Sequence, residues 1–305
     1  MTKDLKIYNI AVDIVLFGVT VTILSLFYYT LVEGFPLKER GFNCKDSSIQ
    51  YLYEGDTIST QVLFGAIFAP PIGLFILGEV LYYVYRTRQR DSKRYVCQSC
   101  RIAIHPIIVS IYQKVGLYLF GAALKFLFVL LGKRMGGRLR PHFLDTCKPD
   151  YSLFNCSDRL IEGDVCTGDD KEIQDARESF PSGHAALAFY SMVFSAMYIE
   201  ARLRWRSARL VKPFLQGWLL LIAFACALSR VYDNRHHPSD VIWGSIIGIL
   251  LAYFMVYIVS DLFKDKQSGE PEERDVEVKE TRFYKQNFFR RPRKTRRTYD
   301  EERYL

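Results

Sequence analysis

The sequence predicts an all-α membrane protein with six transmembrane helices, because its hydrophobic residues are gathered into long runs. Half of the 305 residues are hydrophobic. An apolar run of about 20 residues crosses a bilayer as a helix, which satisfies its own backbone hydrogen bonds. Such runs cover residues 7–31, 59–85, 112–132, 184–201, 213–231 and 241–260. The alternative interpretation is that these runs are buried helices of a large soluble domain. A soluble protein would not need six apolar runs of this length, so we favour a membrane protein.

Basic residues predict how these helices are oriented. Five Lys and Arg residues lie in 86–94, after the second run, and five more lie in 202–212, after the fourth. Short loops rich in Lys and Arg stay in the cytoplasm. Six crossings then place both termini in the cytoplasm, and residues 32–58, 133–183 and 232–240 on the extracellular or luminal side. We expect the plasma membrane or an endomembrane as the location.

The chain divides into a membrane domain, residues 1–263, and a polar basic tail, residues 264–305, which we expect to be cytoplasmic and disordered. The first apolar run lacks a small-residue cleavage site, so we expect it to be retained rather than removed as a signal peptide. The net charge of +8 comes largely from the tail and the inner loops, where anionic lipid is the neighbour. No nucleic-acid partner is therefore expected.

Four cysteines lie in the segments predicted to face outward, where oxidation is permitted. They are Cys44, Cys147, Cys156 and Cys166, and they allow three sets of disulfide pairs. The sequence Asn155-Cys156-Ser157 is an N-glycosylation signal in the same region. We therefore expect a glycosylated outer loop with disulfide bonds whose pairing stays open.

Three polar segments lie on one face of the predicted membrane domain. They are "KRMGGRLRP" (133–141), "PSGH" (181–184) and "SRVYDNRHHPSD" (229–240). No crossing separates the first two, and two crossings separate the second from the third, so all three share a face in either orientation. Basic residues directly outside a span oppose the usual charge rule. This departure favours an anionic ligand.

The residues of these segments are suited to binding a phosphate group. Lys133, Arg140 and Arg230 supply positive charge, and the arginines offer forked donors for phosphate oxygens. Ser182 and Gly183 precede a predicted helix, where free backbone N–H groups and the helix dipole attract an anion. The serine can also cap that helix, and glycine lets the backbone come close to a ligand.

Two histidines and an aspartate add reactive chemistry to this set. One of His184 and His236 can attack phosphorus while the other protonates the departing oxygen. Asp240 can hold the imidazole N–H of His236 and fix its tautomer. Each residue also has a structural interpretation: His184 as a helix-start residue, Asp240 as a cap or as the ion-pair partner of Arg230, and Lys133 as an anchor at the membrane surface.

At these residues the sequence resembles the type 2 phosphatidate phosphatase superfamily, and within it the animal lipid phosphate phosphatases. The signature of that superfamily has three parts. A lysine is followed after six residues by Arg-Pro, here Lys133 to Pro141. Pro-Ser-Gly-His follows at 181–184, and the third part, Ser-Arg, five residues, His, three residues and Asp, spans 229–240. The resemblance implies a helical catalytic core shared with the vanadate haloperoxidases.

The resemblance also implies a role for each site residue. His236 is the nucleophile that forms a phosphohistidine, Asp240 orients it, and His184 is the general acid. The residues that bind the phosphoryl group are Lys133, Arg140, Ser182, Gly183 and Arg230. No metal and no cofactor is expected. The implied substrates are lipid phosphates in the bilayer, namely phosphatidate, lysophosphatidate, sphingosine 1-phosphate and ceramide 1-phosphate. The resemblance also implies self-association into a homo-oligomer.

Two other functions remain open at this point. Some members of this family bind lipid phosphates or partners without catalysis. Those members have lost catalytic residues, whereas this chain retains them. An anion transporter is the second alternative, since Asp13, Glu79 and Lys125 fall within predicted spans, where ionisable residues are often functional. A transporter does not need two histidines and an orienting acid at one helix start.

Overall fold

The apolar runs form long helices in the computed structural model of the protein. The structure describes residues 3–4, 7–33, 40–53, 55–88, 95–96, 106–156, 160–163, 165–203 and 209–263. Its α-helices are α1 (Ile7–Glu33), α2 (Thr60–Arg88), α3 (Pro106–Gly136), α4 (Phe143–Cys147), α5 (Asp170–Ala176), α6 (Gly183–Arg202), α7 (Val211–Tyr232) and α8 (Pro238–Tyr253). A π-helix (Phe254–Val259) continues α8, and a 3₁₀ turn covers Ser47–Ile49. Two short parallel strands, β1 (Lys3–Asp4) and β2 (Tyr95–Val96), complete these elements.

The described part of the chain is mostly helical, as predicted. Four of its helices are long and apolar enough to cross a membrane, over Gln61–Tyr85, Ile107–Gly136, Val211–Tyr232 and Pro238–Val259. In α1 the apolar stretch is Val15–Thr30, which is shorter than the other four. The helix α6 is 20 residues long, but most of its side chains are buried inside the protein. The count of six spans therefore stays a prediction.

The buried helix α6 is the centre of the bundle, and α2, α3, α7 and α8 pack around it. Glycines let α8 approach it closely. A Cβ atom added at Gly248 would lie 2.3 Å from the Ala186 carbonyl oxygen, and one at Gly244 would lie 2.4 Å from that of Ser182. Small residues in membrane helices permit this backbone contact. The glycines therefore determine how the starts of α6 and α8 meet.

Pro71, the second of two prolines inside α2, is compensated by side chains from two neighbouring helices. Pro71 has no N–H group, so the carbonyl of Ile67, four residues earlier, loses its helical donor. The hydroxyl groups of Tyr118 on α3 and Ser191 on α6 each donate to that carbonyl at 2.8 Å. An unpaired carbonyl is costly in an apolar environment, so these bonds tie α2 to the bundle.

A small subdomain, the cap, covers one end of the bundle. We define it as the described residues of 41–58 and 137–182. Its core contains Phe42, Phe143 and Ala176, and the backbone of Phe42 pairs with that of Ile161. Disulfide bonds join Cys44 to Cys156 and Cys147 to Cys166. This is one of the three sets that the sequence allowed, and the short helices α4 and α5 within the cap had no sequence prediction.

The predicted tail, residues 264–305, and much of the basic segment 86–94 lie outside the described residues. The domain boundary at residue 263 therefore stays a prediction. The asparagine of the glycosylation signal, Asn155, is exposed on the cap.

Candidate active site

The three predicted segments meet where α3 and α7 end and α6 and α8 begin. The backbone N–H of Ser182 donates to the carbonyl of Asp240 at 3.0 Å, which joins the starts of α6 and α8. The N–H of Ser179 donates to the carbonyl of Arg138 at 2.9 Å, which joins the residues after α3 to those before α6. Main-chain hydrogen bonds therefore bring together residues that are 58 and 41 positions apart.

His236 lies in the turn between α7 and α8 and is buried. Its Nδ1 atom lies 2.6 Å from the carbonyl oxygen of Ser179. A carbonyl accepts but never donates, so Nδ1 carries the hydrogen and the neutral ring keeps its lone pair on Nε2. Burial lowers the pKa of His236 well below 6.5, and the charges of Arg140 and Lys133 lower it further, against the Ser179 bond. At neutral pH the ring is an uncharged nucleophile.

Asp240 lies in the first turn of α8 and is fully buried. We expected its carboxylate to hold the ring of His236 directly. Instead it accepts hydrogen bonds from the hydroxyl of Ser179 at 2.6 Å, from the backbone N–H of His237 at 3.2 Å, and from the guanidinium of Arg138. The hydrogen bond from His236 goes to the carbonyl of Ser179, so Asp240 reaches the histidine through Ser179.

The three predicted phosphate-binding cations are held by carboxylates. Arg140 binds Asp175 through both terminal nitrogens, at 2.7 and 2.6 Å. Arg230, 1% exposed, binds Asp56 at 3.0 Å and Asp233 at 2.8 Å. The ammonium group of Lys133 lies 3.7 Å from the carboxylate of Glu178. Buried charges need such partners to remain charged.

Arg140 and His184 still have unused polar atoms in the interior of the protein. Arg140 Nε and His184 Nε2 are buried and have no hydrogen-bond partner among the residues that the structure describes. Arg134 Nε is a third such atom, and it lies 3.6 Å from a carboxylate oxygen of Glu178. A buried polar atom without a partner is rare in proteins. A ligand with several acceptor oxygens would satisfy the atoms of Arg140 and His184.

The start of α6 is arranged as predicted. Ser182 is the N-cap, and its side chain accepts from the N–H of Ala185 at 3.4 Å. A Cβ atom added at Gly183 would lie 3.4 Å from Val129, which is an ordinary contact. The protein itself therefore leaves room for a side chain at Gly183.

Several residues of the site had no assigned role in the sequence. They are Ser179 and the carboxylates Asp56, Asp175, Glu178 and Asp233. The only available signal was that buried cations need anions, and this does not say which of 33 acidic residues pair with them. The other two described histidines bind backbone carbonyls: His142 that of Asn234 at 2.7 Å, and His237 that of Leu139 at 3.0 Å.

Comparisons with known proteins identify the family of the chain. Residues 114–264 match the model of the PAP2 superfamily, and this range includes all three motif segments. The chain is 37% identical to phospholipid phosphatase 1 of Rattus norvegicus, covering 86% of this chain and 90% of that protein. It is 40% identical to phospholipid phosphatase 2 of Bos taurus, over 79% and 80% of the two chains. It is 39% identical to phospholipid phosphatase 2 of Mus musculus, over 85% and 89%.

The fold and the site thus define an integral membrane protein of the PAP2 superfamily. Within that superfamily, the identity to these relatives over most of both chains shows that the protein belongs to the phospholipid phosphatase family.

Proposed function

We propose that the protein is a metal-independent phosphatase that hydrolyses phosphate monoesters of membrane lipids through a phosphohistidine intermediate. The observation that carries this proposal is the state of His236. The ring is neutral, its Nδ1–H is bound to Ser179, and its Nε2 lone pair is left for attack beside fixed positive charges. Such a group is an activated nucleophile for an anionic phosphoester.

The reaction has two steps. Burial lowers the pKa of His184 to about 3, so its ring takes up a proton together with the anionic phosphate. Nε2 of His236 then forms a bond to phosphorus while the ester P–O bond breaks, and His184 gives this proton to the departing alkoxide. His184 then removes a proton from water, which attacks phosphorus. The P–N bond breaks, and inorganic phosphate is released. The unpartnered Nε2 of His184 supports its use in proton transfer.

Fixed positive charge stabilises the phosphoryl group during both steps. Lys133, Arg140 and Arg230 supply this charge, and their carboxylate partners hold them in place before the substrate arrives. Nε of Arg140 remains available as a donor because Asp175 occupies only the two terminal nitrogens. The space beside Gly183 supports an anion at the start of α6, where backbone N–H groups point outward.

The position of the site at the ends of membrane helices supports lipid phosphates as substrates. The phosphate group can enter at the helix ends while the acyl chains stay in the bilayer. Phosphatidate, lysophosphatidate, sphingosine 1-phosphate and ceramide 1-phosphate fit this description. The charge pattern of the loops supports an extracellular or luminal site with cytoplasmic termini, and the exposed Asn155 supports the same side.

Phosphate release by the purified protein tests this function. The full chain in detergent is assayed on phosphatidate in mixed micelles with EDTA present. We expect release that His236→Ala abolishes and that the matched variant His237→Ala retains, because the ring of His237 binds the backbone carbonyl of Leu139 at 3.0 Å and has no part in the proposed reaction. Binding of phosphatidate without release would indicate a non-catalytic relative. Phosphate flux into vesicles that survives His236→Ala would indicate a transporter.

A second assay separates the roles of the two histidines. His184→Ala should strongly reduce turnover of phosphatidate, whose alcohol leaves poorly without a proton. It should reduce turnover of p-nitrophenyl phosphate less, because that leaving group needs no proton. Equal losses on both substrates would contradict the general-acid role.

A further inference from the structure

We propose that Ser179 is a positioning residue that connects Asp240 and Arg138 to the nucleophile His236. This inference rests on the proposed function. Ser179 lies two residues before Pro181, outside the three motif segments. Its side chain is fully buried.

Ser179 binds all three partners through different atoms. Its carbonyl oxygen accepts from Nδ1 of His236 at 2.6 Å, and its backbone N–H donates to the carbonyl of Arg138 at 2.9 Å. Its hydroxyl donates to Oδ2 of Asp240 at 2.6 Å, since a carboxylate only accepts. The serine is therefore held by its backbone and its side chain, and both fix the carbonyl that orients the ring.

Both carboxylate oxygens of Asp240 bind groups other than His236. Arg138 occupies Oδ1, while Ser179 and the backbone N–H of His237 share Oδ2. Arg138 also donates to the hydroxyl of Ser239 at 2.7 Å. The aspartate therefore acts on the nucleophile by fixing the serine, and Arg138 fixes the aspartate.

This chain of hydrogen bonds also has an electrostatic effect on the reaction. Phosphorylation at Nε2 leaves Nδ1 protonated, so positive charge develops on the imidazole ring. The carbonyl dipole of Ser179 points its oxygen at that charge, and the carboxylate of Asp240, bound to the hydroxyl of the same residue, acts on the ring through space. The negative charge of Asp240 thus stabilises the intermediate from one residue away.

Ser179→Ala removes the hydroxyl but keeps the carbonyl that accepts from His236. We expect kcat on phosphatidate to fall by about 10-fold, because the acceptor of the nucleophile is less well held. KM should change less than twofold, since the phosphate-binding cations are untouched. The rate of phosphoenzyme formation, measured with ³²P-labelled lysophosphatidate and an alkaline quench, should fall with kcat.

Ser195→Ala is the matched control. Ser195 is also a fully buried serine, but its hydroxyl donates at 2.8 Å to the backbone carbonyl of Ser191 within α6. The same substitution there reports the cost of losing a buried hydroxyl alone. A kcat for Ser179→Ala within twofold of that for Ser195→Ala would overturn the proposal.

A double-mutant cycle tests whether the residues act as one unit. If Ser179 transmits the effect of Asp240, then Ser179→Ala in an Asp240→Asn background should cause little further loss of kcat. Multiplied losses would show independent roles and refute the connection. If Ser179→Ala does not fold, Arg138→Gln is tested in its place, because Arg138 binds Asp240 and its side chain is partly exposed to solvent. This substitution should lower kcat by about threefold or more.

Failure of the proposed function has a different signature. In that case the wild-type protein releases no phosphate, or His236→Ala retains activity. An active wild-type protein, an inactive His236→Ala variant and an unaffected Ser179→Ala variant would reject the role of Ser179 alone.

Discussion

The close contact between α6 and α8 provides a direct test of how the tertiary structure assembles the site. Gly244 lies on α8, one turn after Asp240, against the backbone of Ser182. A Cβ atom at this position would lie 2.4 Å from the carbonyl oxygen of Ser182, whereas real contacts are at least 3.0 Å. The atom on the other side belongs to backbone, which cannot rotate away. Gly244→Ala therefore separates the two helix starts by about 0.6 Å.

This separation moves His236 and Asp240 relative to Ser182 and His184. A misplacement of about 1 Å costs about 100-fold in rate, so we expect a fall in kcat of about 10-fold. Overpacking of this kind also destabilises a protein by about 1–3 kcal/mol. The effect on kcat should exceed any effect on the amount of folded protein.

Phosphate release from phosphatidate, normalised to folded protein, measures the effect of Gly244→Ala. Gly217→Ala is the matched control, because Gly217 lies on α7 and a Cβ atom there meets nothing within 4 Å. We expect the control to keep its kcat and to gain up to about 1 kcal/mol from better helix propensity. If Gly244→Ala has the same kcat as Gly217→Ala, the close contact does not position the site.

Three further predictions concern stability, each measured as Tm of the detergent-solubilised protein. Burial lowers the pKa of His142 from 6.5 to about 4, so the unfolded state binds more protons below pH 6.5 and stability falls as the pH falls. The loss between pH 7 and pH 5 is about 2 kcal/mol, and His142→Phe should remove this part of the pH dependence; an unchanged slope would contradict it. Glu79→Ala removes the buried carboxylate 2.9 Å from Arg202 Nε and should cost about 3–5 kcal/mol, whereas a loss below about 1 kcal/mol would show that the pair is dispensable. Cys44→Ser opens the bond between two distant segments of the cap and should cost about 2–5 kcal/mol. A reductant should lower the wild-type Tm by more than that of the variant, because the variant keeps only the bond between Cys147 and Cys166.

The helices were predictable because hydrophobicity over about 20 residues is a local property of the chain. The helix α6 shows the limit of this signal. Its small and polar residues, such as Ser191, pack against neighbouring helices in the centre of the bundle, so its composition is less apolar than that of its neighbours. The cap was not predictable, because its short helices and its disulfide pairs depend on contacts between distant segments.

The candidate site divides in the same way. The motif residues are recognisable by their spacing, and the structure places His184, His236, Arg140 and Arg230 at one end of the bundle. Their partners are not recognisable in this manner. Asp175 holds Arg140 from a different part of the cap, and no pattern of spacing connects the two residues.

The amino-acid sequence by itself determined the helical membrane class, since hydrophobicity is a local property of the chain. It also predicted the residues of the site from the spacing of the motifs, and their common side from the parity of crossings. Only the tertiary structure decided which disulfides form, which carboxylates hold the cations, and that Ser179 lies between Asp240 and His236. The physical reason is that a hydrogen bond or an ion pair depends on positions within a few tenths of an ångström, and helix packing sets these positions.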